Sequence, residues 1–111
     1  MIEKTILDYL SEGLAVPVYL ELPPEPPARC VVLEKTGSGK SNFIYSATVA
    51  IQSYAESLFL AASLNEEVKA LMDNAAVLTD VTSARLNSDY NFTDTATKRY
   101  RYQAVYDITH S

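Results

Sequence analysis

"LEKTGSGKSNFIYSATVAIQSY", Leu33 to Tyr54, decides how this chain is read. Its centre, Thr36 to Ser41, has the look of a Gly-rich phosphate loop ending in Gly-Lys-Ser. Such a loop needs a glycine at its head, and counted back from Gly39 that place is Glu34, a carboxylate where a polyanion would approach. It must also deliver its lysine to the N-terminus of a helix, whose dipole helps hold the anion. The residues after Ser41 have period two instead: Phe43, Tyr45, Ala47, Val49 and Ile51 on one face, Ile44, Ser46, Thr48, Ala50 and Gln52 on the other. That is a strand. The segment therefore reads as a hairpin, with Gly37 and Gly39 supplying positive φ and Ser38, Lys40, Ser41 and Asn42 keeping the tip in water.

Upstream, "CVVLEKT" is the first arm of the hairpin, its apolar start covered on both faces. Cys30 lies there as a buried thiol, and a single cysteine forms no internal disulfide. "PPEPPAR", Pro23 to Arg29, is a stiff extended connector, because each proline fixes its own φ and restricts its predecessor. It also contains Pro24-x-x-Pro27-x-Arg29, the pattern of a polyproline-groove ligand, beside the simpler reading as a spacer. "AVPVYLEL" alternates as a strand, and Pro17, which cannot donate to a ladder, places it at an edge or at the strand's beginning. Ile2, Ile6, Tyr9 and Leu10 predict a helix from Ile2 to Ser11, with Gly13 in the left-handed position that stops it.

Downstream, Ser53 and Glu56 have the spacing of a capping box. Behind them Ala55, Leu58, Phe59, Ala62, Leu64, Val68, Leu71 and Met72 make the apolar stripe of a long helix ending near Asp73, with Asn65 as a second cap or a kink. "VLTDVTSARLNSDYNF" and "KRYRYQAVYDITH" are strand-like, joined by polar "TDTAT". In the last run Tyr100, Tyr102, Ala104, Tyr106 and Ile108 face one way, and Arg99, Arg101, Gln103, Val105 and Asp107 the other. The order helix, strand, strand, strand, long helix, strand, strand predicts one α+β domain over residues 1–111. It is a two-layer sandwich, a mainly antiparallel sheet of about five strands with both helices on one face.

A net charge of −5 in 111 residues argues against nucleic-acid recognition, which rests on clustered Lys and Arg. "KRYRY" mixes basic and aromatic side chains, but period two separates them into a tyrosine face and an arginine face. No stretch is long and apolar enough to span a membrane, and no charged, apolar leader opens the sequence, so a soluble intracellular chain is expected. One His and one Cys offer no metal cluster, and no cofactor motif survives inspection. No nucleophile, base and orienting group come together, which points away from an enzyme.

At "ATVAIQSYAES", Ala47 to Ser57, and "YNFTDTATKRYRYQAVYDITH", Tyr90 to His110, the sequence resembles the small tail-completion or tail-terminator proteins of long-tailed bacteriophages and prophages. "MIEKTILDYLSEGLAVPVYLELP" and "VVLEKTGSG" stand in the order that resemblance expects. It implies a two-layer α+β subunit that forms a six-fold ring on the tail tube, ends tube polymerisation and offers a head-joining surface. The implied partners are further copies of itself, the tail tube protein and a head-tail connector protein. The implied location is the bacterial host cytoplasm during assembly, then the virion tail. The family supplies no catalytic residues, and the Pro-rich connector departs from its pattern.

A ring needs two unlike surfaces. Arg99 and Arg101 on one strand face are the expected basic side, and Glu66, Glu67 and Asp73 on the long helix the acidic one. The polar loops around Lys35, Lys40 and Asn42, and around Asp89, Asn91 and Asp94, are expected to meet the tube or line its lumen. Two other classes stay open: an adaptor that binds a partner peptide along a sheet edge, and a small nucleotide-binding protein resting on Gly39-Lys40-Ser41 alone.

Overall fold

In the structure, a computed structural model describing residues 1–111, β2 (Cys30–Ser41) and β3 (Ile44–Ala55) form the antiparallel hairpin that period two predicts. The turn falls elsewhere than expected. Ser41 pairs with Ile44, and Asn42 and Phe43 take the two central positions at φ 50° and 67°. Positive φ at both marks the tight turn whose twist matches its strands, and Asn tolerates it well. No glycine has positive φ. Gly37 and Gly39 lie inside β2, where a Cβ on Gly39 would stand 3.0 Å from Ser46 Oγ. Register explains the shift. Leu33 sits opposite Ile51 and Val31 opposite Ser53. A turn centred on Ser38 would set Leu33 opposite Phe43 and strand the apolar half of β3, Val49 to Tyr54, beyond its partner's end.

β1 is only Val18–Tyr19, parallel to Val31 and Val32, with the Val31 amide donating to the Pro17 carbonyl at 2.9 Å. Its edge position is the expected one; its length is not. A parallel neighbour is reached only by a crossover, so the chain leaves the sheet after Tyr19 and the Pro-rich connector carries it back to Cys30. β4 (Val81–Asn91) and β5 (Tyr100–His110) complete a sheet of order β1-β2-β3-β5-β4, with the β5 strand inserted between β3 and β4. A single 3₁₀ turn, Ala75–Val77, leads into β4.

α1 (Ile2–Gly13) and α2 (Leu58–Asp73) cover one face, making the two-layer α+β fold. Val31, Leu33, Val49, Ile51, Tyr106 and Ile108 from the sheet close on Ile6, Leu10, Val68 and Met72 from the helices. Gly13 ends α1 without a left-handed residue; a Cβ there would come within 2.7 Å of the Leu71 methyls, so its role is close approach of the two helices. Tyr9 adds a 2.6 Å hydrogen bond to the Leu71 carbonyl across the same contact. No helix is long and apolar enough to cross a membrane.

The cap of α2 is Ser57, whose hydroxyl accepts from the Leu60 amide at 3.2 Å. Ser53 is instead buried in β3, because that strand keeps pairing with β5 as far as Ala55. Glu56 forms a two-pronged ion pair with Arg29, at 2.8 and 2.9 Å, that ties the connector to the start of α2. The buried stripe is Ala61, Leu64, Asn65, Val68 and Met72, and Phe59 is 77% exposed. Rotating α2 to bury Phe59 would turn Glu66, Lys69 and Asp73 toward apolar surroundings, which costs more than one aromatic contributes. Asn65 is therefore neither cap nor kink but a buried polar residue within the helix.

This packing has two measurable consequences. Phe59→Ala should leave the denaturation midpoint nearly unchanged, whereas Met72→Ala should cost about 2–5 kcal/mol; equal losses in chemical denaturation would contradict the helix orientation. Tyr106 is fully buried with a hydroxyl that has no partner, and burial first, then the Asp73 charge, pushes its pKa from 10.0 up to about 12. A raised tyrosine pKa gives stability that is whole below pH 10.0 and lost as pH rises toward about 12. Tyr106→Phe should raise stability by about 1 kcal/mol and flatten that alkaline loss in pH-dependent melting.

Candidate functional site

The face of the sheet that carries no helix is built by alternation. With Ala104, Tyr106 and Ile108 in the core, Arg101, Gln103, Val105 and Asp107 of β5 must point the other way. Cross-strand pairing sets Tyr54 of β3 directly opposite Arg101. The Arg101 Nη1 donates to the Tyr54 hydroxyl at 3.0 Å and its Nε to the Phe92 carbonyl at 2.6 Å. Its guanidinium also lies 4.4 Å from the centroid of the Phe92 ring. Arg99 stacks on the Tyr54 ring at 4.8 Å and donates to the Pro27 carbonyl at 3.4 Å. Stacking and carbonyl acceptors hold both guanidinium groups in place, and the ion pairs of the chain involve neither.

The two arginines border a hollow of about 240 Å³ that Leu22, Tyr54, Asp94 and Thr97 complete. The Asp94 carboxylate accepts from the Ala96 amide at 2.9 Å and the Thr97 amide at 3.4 Å, and these bonds, Ala96 first, with a smaller pull from the Arg101 charge, hold it below the usual carboxylate range. Behind Arg99 lies Cys30, buried as expected, its thiol pushed up by burial against the opposing pull of that arginine. The connector of prolines thus has a place: its end at Pro27 is tied to the basic hollow.

Along the same face a polar belt continues, in which Gln52 donates to Gln103 at 2.9 Å and Gln103 to the Tyr90 hydroxyl at 2.6 Å. Further on, Asp107 accepts from Thr48 at 3.2 Å and Asn87 at 3.0 Å, with Arg85 directly across from it. The acidic residues of α2 lie in the other layer: Glu66, Glu67 and Asp73 are all exposed, and only Glu66 is engaged, by Lys69 at 3.0 Å.

The two expected loops are mostly strand. Lys35 and Lys40 belong to β2; Lys35 lies 3.6 Å from Glu3, Lys40 sits over the rings of Phe43 and Tyr45, and Asn42 is in the turn. Asn91 ends β4 and accepts from the Thr93 amide and hydroxyl, closing a local turn. Asp89 projects nowhere. It faces α2, accepting from Asn65 at 2.9 Å and from Lys69 at 3.0 Å, and it is the first cause of the raised Lys69 pKa. The β2–β3 tip and the Phe92–Arg99 turn lie at opposite ends of the sheet, since Tyr45 pairs with His110 while Ala55 pairs with Tyr100.

Tyr54, Phe92, Leu22 and Pro27 were not among the expected site residues. Their nearness to the arginines arises from cross-strand register and from the path of the connector, neither of which has a signature in one sequence. Neither protein-family models nor curated proteins match this chain.

The Asp89 contacts predict that Asp89→Ala will destabilise the domain by about 1–3 kcal/mol, because the Asn65 amide is left buried and unpaired. Asn65→Leu in that background should recover part of the loss in urea denaturation; a silent Asp89→Ala would mean the tie between α2 and β4 contributes nothing.

Proposed function

We propose that this chain is a structural subunit of a phage or prophage tail, a tail-completion protein whose copies form a ring that caps the tube. One observation supports the reading beyond resemblance: the two layers put an aromatic face that carries Arg99 and Arg101 at one end and an acidic helix surface on opposite sides of one subunit. Head-to-tail contact in a ring requires such a pair of unlike surfaces, and opposite signs favour it over self-pairing of either face. Two distinct ends complete the arrangement. The β2–β3 tip presents Phe43, 88% exposed, with Ile44 and Tyr45 behind it, an apolar end suited to lasting contact with the tube protein. The Phe92–Arg99 turn, at the other end, is left for the head-tail connector protein. The role is architectural rather than catalytic, with no cofactor. It places the chain in the host cytoplasm during assembly and in the virion tail afterwards.

An adaptor is the second reading, favoured by the edge of β2. β1 pairs only with Val31 and Val32, so from Leu33 to Ser41 that edge has no neighbouring strand. A partner peptide could add there, although Lys35, Lys40 and the irregularity between Lys35 and Gly37 are features that discourage it.

The test is Arg99→Glu combined with Arg101→Glu. The variant should remain folded, fail to form rings, and give phage tails of uncontrolled length that do not join heads. Tails of normal length in a complete deletion of the gene would remove the terminator reading.

A further inference from the structure

Deepening the ring reading on which it rests, we propose that Phe59 of one copy seats in the hollow between Arg99 and Arg101 of the next, and that Asp73 reaches Arg85 on the same face. Three observations converge on this seat. Phe59 is the aromatic side chain that the core packing of α2 leaves 77% exposed, and the hollow bordered by Leu22, Tyr54 and the two arginines, with Asp94 and Thr97 completing it, offers about 240 Å³. Cationic groups over aromatic faces are favourable, so an inserted ring would add to the contacts that Arg99 already makes with Tyr54 and Arg101 with Phe92.

Position along the molecule is the second. The hollow sits where Tyr54 pairs with Arg101 and Ala55 with Tyr100, and α2 begins three residues later at Leu58. Knob and hollow are therefore at the same height but on opposite layers. A ring closes only when successive copies do not climb along its axis, and patches at matching height meet that condition.

Spacing of charge is the third. Phe59, Glu66 and Asp73 recur on one stripe of α2. From the shared end, α2 and β5 run in the same direction, as the contacts of Asn65 and Lys69 with Asp89, opposite Ala104, require. Helical rise puts Asp73 about 21 Å beyond Phe59. Strand rise puts Arg85, opposite Asp107, about 20 Å beyond Arg101. Arg85 forms no ion pair in its own chain, and neither does Asp73. With Phe59 seated, Asp73 comes level with Arg85, whose own cross-strand neighbour is Asp107.

Native mass spectrometry and sedimentation of the full chain, alone and with purified tail tubes, test the seat. Phe59→Ser should melt like wild type and yet lose multimer roughly tenfold or more, as removal of a central aromatic anchor does. Asp73→Arg and Arg85→Asp should each weaken assembly, and the two combined in one chain should restore it. Leu22→Cys with Phe59→Cys should give, on mild oxidation, a ladder in multiples of 12.3 kDa. Wild-type multimers that persist unchanged in Phe59→Ser would overturn the seat and leave the ring reading standing. A wild-type chain that stays at 12.3 kDa even with tubes present would overturn both.

Discussion

The register of β3 is the constraint on which the rest of the structure depends. It is the central strand, paired with β2 along one side and β5 along the other for nearly its whole length. Its period-two pattern permits one placement: Val49 and Ile51 toward the helices, Gln52 and Tyr54 away from them. A slip by one residue would exchange the two sets and expose the core, so both neighbours are fixed by apolar burial rather than by their own turns. The same register delivers Tyr54 to Arg101 and Gln52 to Gln103. The surface chemistry of the open face is thus set by the packing of the opposite one.

This dependence explains what the sequence revealed and what it hid. Strand and helix identity derive from local period, and the division of β5 into Ala104, Tyr106 and Ile108 against Arg101, Gln103 and Asp107 could be read directly. So could the burial of Cys30 and the place of Pro17 just ahead of an edge strand. The hairpin was legible but its turn was not, because Gly37 and Gly39 advertise a turn locally while the register that buries Leu33 is decided by β3 and β5. Ser53 and Glu56 likewise form a capping box in spacing alone; strand pairing holds the serine, and Arg29, distant in sequence, holds the glutamate. Half of the candidate site was visible as an arginine row. Its aromatic partners were not, since Pro27, Tyr54 and Phe92 meet it only through tertiary pairing.

The connector from Pro23 to Pro27 shows how a segment without regular structure can still be positioned. Proline stiffness keeps the unfolded alternatives few, and ties at its end suffice to place it: Arg99 on the Pro27 carbonyl and Glu56 on Arg29. Both ties converge on the end of the molecule where β3 passes into α2. The basic hollow is therefore walled by a connector that cannot easily swing away, which keeps Leu22 at its rim.

Magnitudes decide why α2 shows the surface it does. Burying Phe59 would contribute about 1.5–3 kcal/mol. The rotation needed would draw Glu66, Lys69 and Asp73 toward the core, and each charge removed from water costs several kcal/mol even after relaxation. Asn65 is the cheaper resident of the buried stripe, because it carries no charge and its amide nitrogen donates to Asp89, even with its carbonyl oxygen unpartnered. The helix therefore settles with an amide inside and an aromatic outside, and its solvent side carries Phe59, Glu66 and Asp73 in line. An exposed aromatic aligned with carboxylates is then a consequence of folding one subunit, and on the opposite layer the same fold leaves Arg99, Arg101 and Arg85 outside the ion pairs of the chain, with Asp94 beside the first two and Asp107 across from the third.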